Sequence, residues 1–356
     1  MADQQKHEQY EHCMVMAGGG FRFGYYLGMH AAAVEQGRAP DLLLASCGGA
    51  IAAALIQSLP TDAERRAWLA SRSMHGFLRS LGSTPHAHIG RVLAGVLRRR
   101  IDAGAALRIP DLFNDYLFEL PAHLPLPPQP PSASVDVAIV GARLLYEPGE
   151  AGQQRAGRAL FEETVFASAR AAGLLDGAPC AVGGQAIAAT VAVDTHMPLP
   201  DAVRISIADM FYFRSHGHGA HHYTGGVIDL FPIELAHRLA RRVSIETKAP
   251  FHQLFAIPAL RAVFGIDGNA RLRHVHGQPA DTWIDTTDVS RALRQHGLRK
   301  RISLRDGRVH LAAPQRYADY VHSVEAQWRY GYERMREALA GERRMRNISR
   351  HNWSGA

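Results

Sequence analysis

The chain is poor in cysteine: Cys13, Cys47 and Cys180 are the only three in 356 residues, odd in number and widely spaced. Such a set builds no disulfide framework and fits a reducing compartment. Long apolar runs are also missing. Nothing approaches the roughly 20 residues of a spanning helix, and "AIAAALI" from Ala50 is far too short. The start, "MADQQKHEQYEHCMVMAGGG", lacks the charged block, apolar core and small-residue cleavage site of a secretory signal. The expectation is a cytoplasmic protein, peripheral at a membrane at most. No internal repeat occurs, which argues against solenoids and propellers.

Charge is unevenly placed along the chain. From Val289 to Ala356 there are 15 Lys/Arg against 6 Asp/Glu, whereas the remainder holds 25 against 27. The net charge of +7 therefore belongs to the C-terminal tail. An anionic membrane surface is the expected partner of that tail, with a solvated helix as the plainer reading. Nucleic acid has charge alone behind it and is not expected.

Length suits one large α/β domain with an appended segment: 1–250 as the body and 251–356 as a C-terminal extension carrying an amphipathic, Arg-rich helix. The stretch 121–131, "PAHLPLPPQPP", reads as an extended connector. A strand from Met14, a glycine turn and a helix through "YYLGMHAAAVEQG" open the body. Leu42 to Ala45 is a strand buried on both faces, followed by an alanine-rich helix from Gly48. Helices are read in "DAERRAWLASRSMHGFLRSLG", "IGRVLAGVLRRR" and "DLFNDYLFEL", and again from Leu160 to Ala169. Strands are read in "SVDVAIVGARLLYEPG" and "AIAATVAVD", and a helix in "FPIELAHRLARR". In the tail, Tyr317, Val321, Val324, Trp328, Met335 and Leu339 recur at helical spacing from Pro314 to about Arg346.

Three pieces carry chemistry. In "AGGGFRFGYYLG", Ala17 to Gly28, consecutive glycines between a strand and a helix turn backbone N–H groups toward an anion. Gly18, Gly20 and Gly24 also allow a dinucleotide fingerprint, but Asp41 stands at the start of the next strand rather than at its end. In "DLLLASCGGAIAAAL" a strand meets a helix across a turn of small residues, as a nucleophile elbow requires. Cys47 fits the apex better than Ser46, which would put Leu44 where a small residue belongs. In "YTGGVIDLFPIELA", Tyr223 to Ala236, a Gly-Gly turn would set the preceding polar residue facing that elbow.

In this order the pieces resemble the patatin-like phospholipase family, with its Gly-Gly-Gly-x-Arg oxyanion loop, Gly-x-Ser-x-Gly elbow and late Asp-Gly-Gly segment. "AVRISIADMFYF", Ala202 to Phe213, is similar to the family's segment before Asp-Gly-Gly, with Met210 where proline is usual. The resemblance covers about Met14 to Arg242 in pieces. It implies a three-layer α/β/α sandwich with a mostly parallel central sheet and hydrolysis of lipid acyl esters by a Ser–Asp dyad. On this chain the implied oxyanion and binding residues are Gly18, Gly19, Gly20, Arg22 and Gly48. Cys47 falls on the nucleophile, Ala45 replaces the first elbow glycine, Gly49 matches the last, and Thr224 falls on the dyad aspartate.

Both dyad positions differ, and threonine cannot serve as a base. A thiolate activated by the helix N-terminus offers a substitute, because free thiols titrate near pH ~8.5 and such a site lowers that value. The histidines of "RSHGHGAHHYTGG" offer a proton carrier, His222 above all, while an exposed flexible loop is their plainer reading. Asp229 is a further relay candidate and Asp209 a weaker one. No cysteine or carboxylate spacing supports a metal among the histidines, and no cofactor is expected. Two functions remain open: a Cys47 acyl hydrolase or acyltransferase of lipid-like esters, and an inactive homologue that binds an acyl chain, lipid or partner protein.

Overall fold

The computed structural model describes residues 8–18, 20–101, 106–130, 132–175, 188 and 190–353, with the backbone alone at 101 and 343–353. Its strands are β1 (Tyr10–Ala17), β2 (Leu42–Ser46), β3 (Asp136–Leu144), β4 (Phe161–Phe166), β5 (Val191–Asp194), β6 (His216–His218), β7 (His221–Thr224), β8 (Ala240–Thr247) and β9 (Thr282–Asp285). They join one sheet in the order β9-β8-β1-β2-β3-β4-β5, with β7 on β3 and β6 on β7. From β9 through β3 every neighbouring pair is parallel, and β5 is parallel to β4. β4 and β7 run against β3.

Helices cover both faces, giving the expected α/β/α layers. Alternation along β2 shows why: Leu43 and Ala45 enter one core, Leu42 and Leu44 the other. On the first face lie α1 (Gly24–Glu35), α2 (Gly48–Ser58) and α3 (Leu199–Ser206). On the second lie α4 (Ile233–Leu239), the helix Ala256–Phe264 and α5 (Gly268–His276).

The C-terminal helix α6 (Tyr317–Trp353) packs along α1 on the first face. The two backbones touch. A Cβ on Gly28 would strike the Trp328 carbonyl, and one on Gly331 would strike that of Tyr25. Tyr320, Val324, Met335 and Leu339 are buried there, whereas Val321 is 37% exposed and lies off the packed face. The division expected at residue 250 cuts between β8 and β9, its neighbour in the sheet. A separate hairpin, β10 (Arg299–Ser303) and β11 (Arg308–Ala312), stands outside the sheet.

Other readings are corrected. Leu160–Ala169 is not a helix: Phe161–Phe166 is β4, whose aromatic and β-branched residues pack between β3 and β5. "DLFNDYLFEL" forms turns and a two-residue strand, Phe118–Glu119, which pairs with Gly82–Ser83. The helix read through "FPIELAHRLARR" stops at Leu239, and its last two arginines, Arg241 and Arg242, fall in β8. The proline-rich stretch from 121 to 130 contains neither helix nor strand. It is tied down by the Trp68 indole N–H, which donates to the Pro125 carbonyl at 2.8 Å. Among the described residues, no helix is long and apolar enough to cross a membrane.

Candidate active site

β2 ends at Ser46 and α2 begins at Gly48, so Cys47 alone forms the turn. Its backbone adopts φ 51° and ψ −123°, a region hostile to side chains and costing about 1–3 kcal/mol when the surroundings impose it. The Cys47 amide donates to Ser206 Oγ at 2.9 Å, and Ser206 Oγ donates to the Val140 carbonyl at 2.7 Å. Ser46 Oγ donates to the Asp229 carbonyl at 3.1 Å. The turn is therefore pinned from α3, β3 and the segment after β7.

The partner of Cys47 arrives by an indirect route. Along one edge of β3, β2 pairs as far as Ala45↔Ile139, and β7 then takes over at Thr224↔Ala142. Being antiparallel, β7 runs back toward the elbow and delivers Gly225 and Gly226 to it. Thr224 does not face the sulfur, because its hydroxyl donates to the Ala208 carbonyl at 3.0 Å. The Gly225 amide reaches the same carbonyl at 2.9 Å. These two bonds bring the segment after α3 over the Gly-Gly turn, and Asp209 fills the space: a Cβ on Gly225 would lie 2.5 Å from its Oδ1. Cys47 Sγ donates to that same Oδ1 at 2.9 Å.

This geometry sets the protonation states. Burial, then the Asp209 charge, push the Cys47 thiol well above its ordinary range, while the Gly226 amide, hydrogen-bonded to the sulfur, opposes them. Burial pushes Asp209 up to about 7, against the hydrogen bond from Cys47. The thiolate expected from the helix N-terminus is therefore not the resting form. Desolvation and a carboxylate at contact outweigh a helix end, and the pair is a thiol beside a carboxylate that titrates near neutrality.

The glycine loop divides its roles. The Gly18 amide is committed to the carbonyls of Met16 (3.2 Å) and Ser46 (3.1 Å), so it is an anchor and not an oxyanion donor. The Gly18 carbonyl accepts from Tyr25 at 3.1 Å, Lys248 Nζ at 3.2 Å, and Tyr26. Gly19 lies outside the described residues. Gly20 and Gly48 line the cavity beside Cys47, their backbones so close that a Cβ on Gly48 would strike the Gly20 carbonyl. The Gly48 amide, in the first turn of α2, has no acceptor within the helix.

Beneath the loop sits a buried carboxylate that the sequence reading missed. Glu246 of β8 is fully buried. It accepts from Tyr25, Tyr26 and Thr286 Oγ1, the last at 2.8 Å, and pairs with Lys248 Nζ at 2.8 Å. Burial lowers the Lys248 pKa, and Glu246 works against that shift. The network fixes the Gly18 carbonyl and hence the height of the loop above Cys47.

The cavity in front of Cys47 has a volume of about 440 Å³. Its wall is chiefly apolar, with Phe21, Ile51, Phe213, Leu230 and Phe251 among the lining residues, and three cations reach it: Arg22, Lys248 and Lys300. The Arg22 guanidinium pKa is lowered by burial, and its Nε is buried without a hydrogen-bond partner. Lys300 Nζ rests on the Tyr212 hydroxyl. The chain contains only three lysines, Lys6, Lys248 and Lys300, so two of the three meet at this cavity. That scarcity was the available signal.

The remaining candidates lie elsewhere. His222 sits two residues before Thr224, roughly 6–7 Å further along an extended strand, with its ring on the edge of Phe113. It is not part of the cavity wall. His216 and His218 face Asp201. Among the described residues no cluster suits a metal ion. Asp229 pairs with Arg271 at 3.1 Å, which also grips Glu234 at 2.6 Å, a structural use away from Cys47. Cys13 is buried in β1, and Cys180 lies outside the described residues.

Neither a protein-family model nor a curated protein matches the chain. Among solved structures, VipD from Legionella pneumophila is similar at 12% identity and a TM-score of 0.37, covering 94% of this chain and 67% of that one. A likeness at that level carries no argument about activity.

Proposed function

We propose that the chain is an acyl-ester hydrolase or acyltransferase of patatin-like design, with Cys47 as nucleophile and Asp209 as its general base. The observation that carries this reading is the 2.9 Å contact between Cys47 Sγ and Asp209 Oδ1, at a strained turn opening on an apolar cavity. A dismantled site would have no reason to keep a carboxylate at that distance.

In the reaction, ionised Asp209 takes the thiol proton as sulfur attacks the ester carbonyl carbon. The C–S bond forms and the carbonyl π pair moves onto oxygen. The Gly48 and Gly20 amides, both at the cavity, supply donors for that oxyanion, each worth about 3 kcal/mol in comparable sites. Collapse breaks the C–O bond, and the leaving alkoxide recovers the proton from Asp209. Water, or an acceptor alcohol, then attacks the thioester carbon and gives its proton to Asp209; collapse breaks the C–S bond, and the departing sulfur takes that proton back as the Cys47 thiol. The apolar wall suits an acyl chain, and Arg22 with Lys300 suits an anionic group on the leaving side.

Hydrolysis of p-nitrophenyl esters of short and long acyl chains tests the reading, with intact-mass analysis for an acyl adduct. Wild type should turn over the esters and carry the adduct on Cys47, and Cys47→Ala should lose both. Turnover that survives Cys47→Ala, or an inert wild type without adduct on any chain length, would overturn it.

A further inference from the structure

The helix Ile89–Ile101, sequence IGRVLAGVLRRRI, has no buried side chain among those described, although half its residues are apolar. Leu93 and Leu97, one turn apart on the same face, are 61% and 58% exposed. The β10–β11 hairpin is equally bare, with Ile302 58% and Leu304 95% exposed. The two elements meet where the Ile89 amide donates to the Gly307 carbonyl at 2.8 Å. On the other flank Leu254 and Phe255, also exposed, lead into the helix Ala256–Phe264, which packs against Ile89–Ile101. Single exposed leucines are ordinary, but a group gathered on adjoining elements marks an interaction face.

This face is continuous with the cavity. Lys300 and Leu311 are cross-strand partners, and both line the wall. The next pair on the same side of the hairpin is Ile302 with Val309, and Leu304 stands beyond at the tip. An apolar track thus runs from the cavity to solvent. Phe251 of the wall likewise leads in sequence to Leu254 and Phe255.

Charge identifies the occupant. The helix carries four arginines and no acidic residue, and 299–312 carries five basic residues against Asp306 alone. Asp306 is itself paired with His310 at 2.9 Å. Protruding leucines set among arginines match a surface that is anionic outside and apolar beneath. We propose that this face docks on an anionic bilayer, its leucines entering the interface and its arginines meeting lipid phosphates, so that an acyl chain passes along the hairpin into the cavity. The passage of substrate rests on the acyl-ester reading of Cys47; the docking does not.

Flotation with phosphatidylcholine vesicles, with and without phosphatidylglycerol, tests the face. Wild type should bind the anionic vesicles preferentially and release them in high salt. The variant L93E/L97E/L304E should partition about tenfold less or weaker, while keeping its melting temperature and its wild-type rate, whatever that rate is, on a soluble short-chain ester. Equal binding by variant and wild type, or no binding by wild type, overturns the proposal. So does a wild-type dimer seen by light scattering that the substitutions dissociate, since a second copy would then cover the face. Vesicle binding by a protein inert on every ester would keep the docking face and refute only the catalytic reading.

Discussion

Cys47 Sγ and Asp209 Oδ1 are in hydrogen-bond contact although 162 residues separate them, and the carboxylate stands where a Cβ on Gly225 would otherwise project. The resemblance implies an acid at position 224, whereas the carboxylate beside the sulfur is that of Asp209, in the segment after α3. The Gly-Gly turn leaves the open space that this carboxylate occupies.

Asp209 and Thr224 should therefore respond differently to substitution. Asp209→Asn should lower ester turnover by about 10²–10⁴-fold, the usual contribution of a positioned base. At the same time it should lower the Cys47 pKa, because a neighbouring negative charge is removed, as read by thiolate absorbance against pH. Thr224→Val should leave turnover within a few-fold of wild type and lose only about 1 kcal/mol of stability, from its bond to the Ala208 carbonyl.

The same carboxylate makes stability pH-dependent. Burial raises the folded-state pKa of Asp209 to about 7, well above its ordinary value of 3.8. The folded state therefore binds the proton more tightly than the unfolded one. Its contribution is fully present below pH ~4 and is lost as pH rises through about 7. Asp209→Asn should remove this component, so its melting temperature should gain on wild type between those limits and hold the difference above them.

Gly225→Ala separates the site from the fold. A methyl group 2.5 Å from Asp209 Oδ1 must displace the carboxylate or the turn. Turnover should fall about tenfold or more, since small misplacements at a reacting pair are expensive. Far-UV circular dichroism should be unchanged.

The α1–α6 crossing gives a stability test far from the chemistry. Gly331→Val drives a branched Cβ into the Tyr25 carbonyl and should destabilise by about 1–3 kcal/mol or more through forced separation of the helices. Tyr25 also holds the Gly18 carbonyl, so a fall in activity should accompany the fall in denaturation midpoint.

Much of this architecture was legible because its residues obey simple periods. β2 is apolar from Leu42 to Ala45, the elbow is uniformly small, and α6 repeats its buried positions at helical spacing. β8 was missed because two of its fully buried residues are Ser244 and Glu246. Glu246 is satisfied by tyrosines 220 and 221 positions away, and no local pattern could reveal that. Asp209 carries no local signal for a similar reason. Its promotion depends on how β7 takes over the β3 edge from β2, which is a fact of register and not of spacing.

The most direct test of the Cys47–Asp209 pair is the single-turnover rate of Cys47 acylation against pH, in wild type and in Asp209→Asn, followed by rapid quench and mass analysis. A working dyad predicts a wild-type rate that rises through pH about 7 and flattens above it. In the variant that inflection should disappear and the plateau should fall by about 10²-fold or more. Acylation in Asp209→Asn that matches wild type in rate and pH profile would contradict the account.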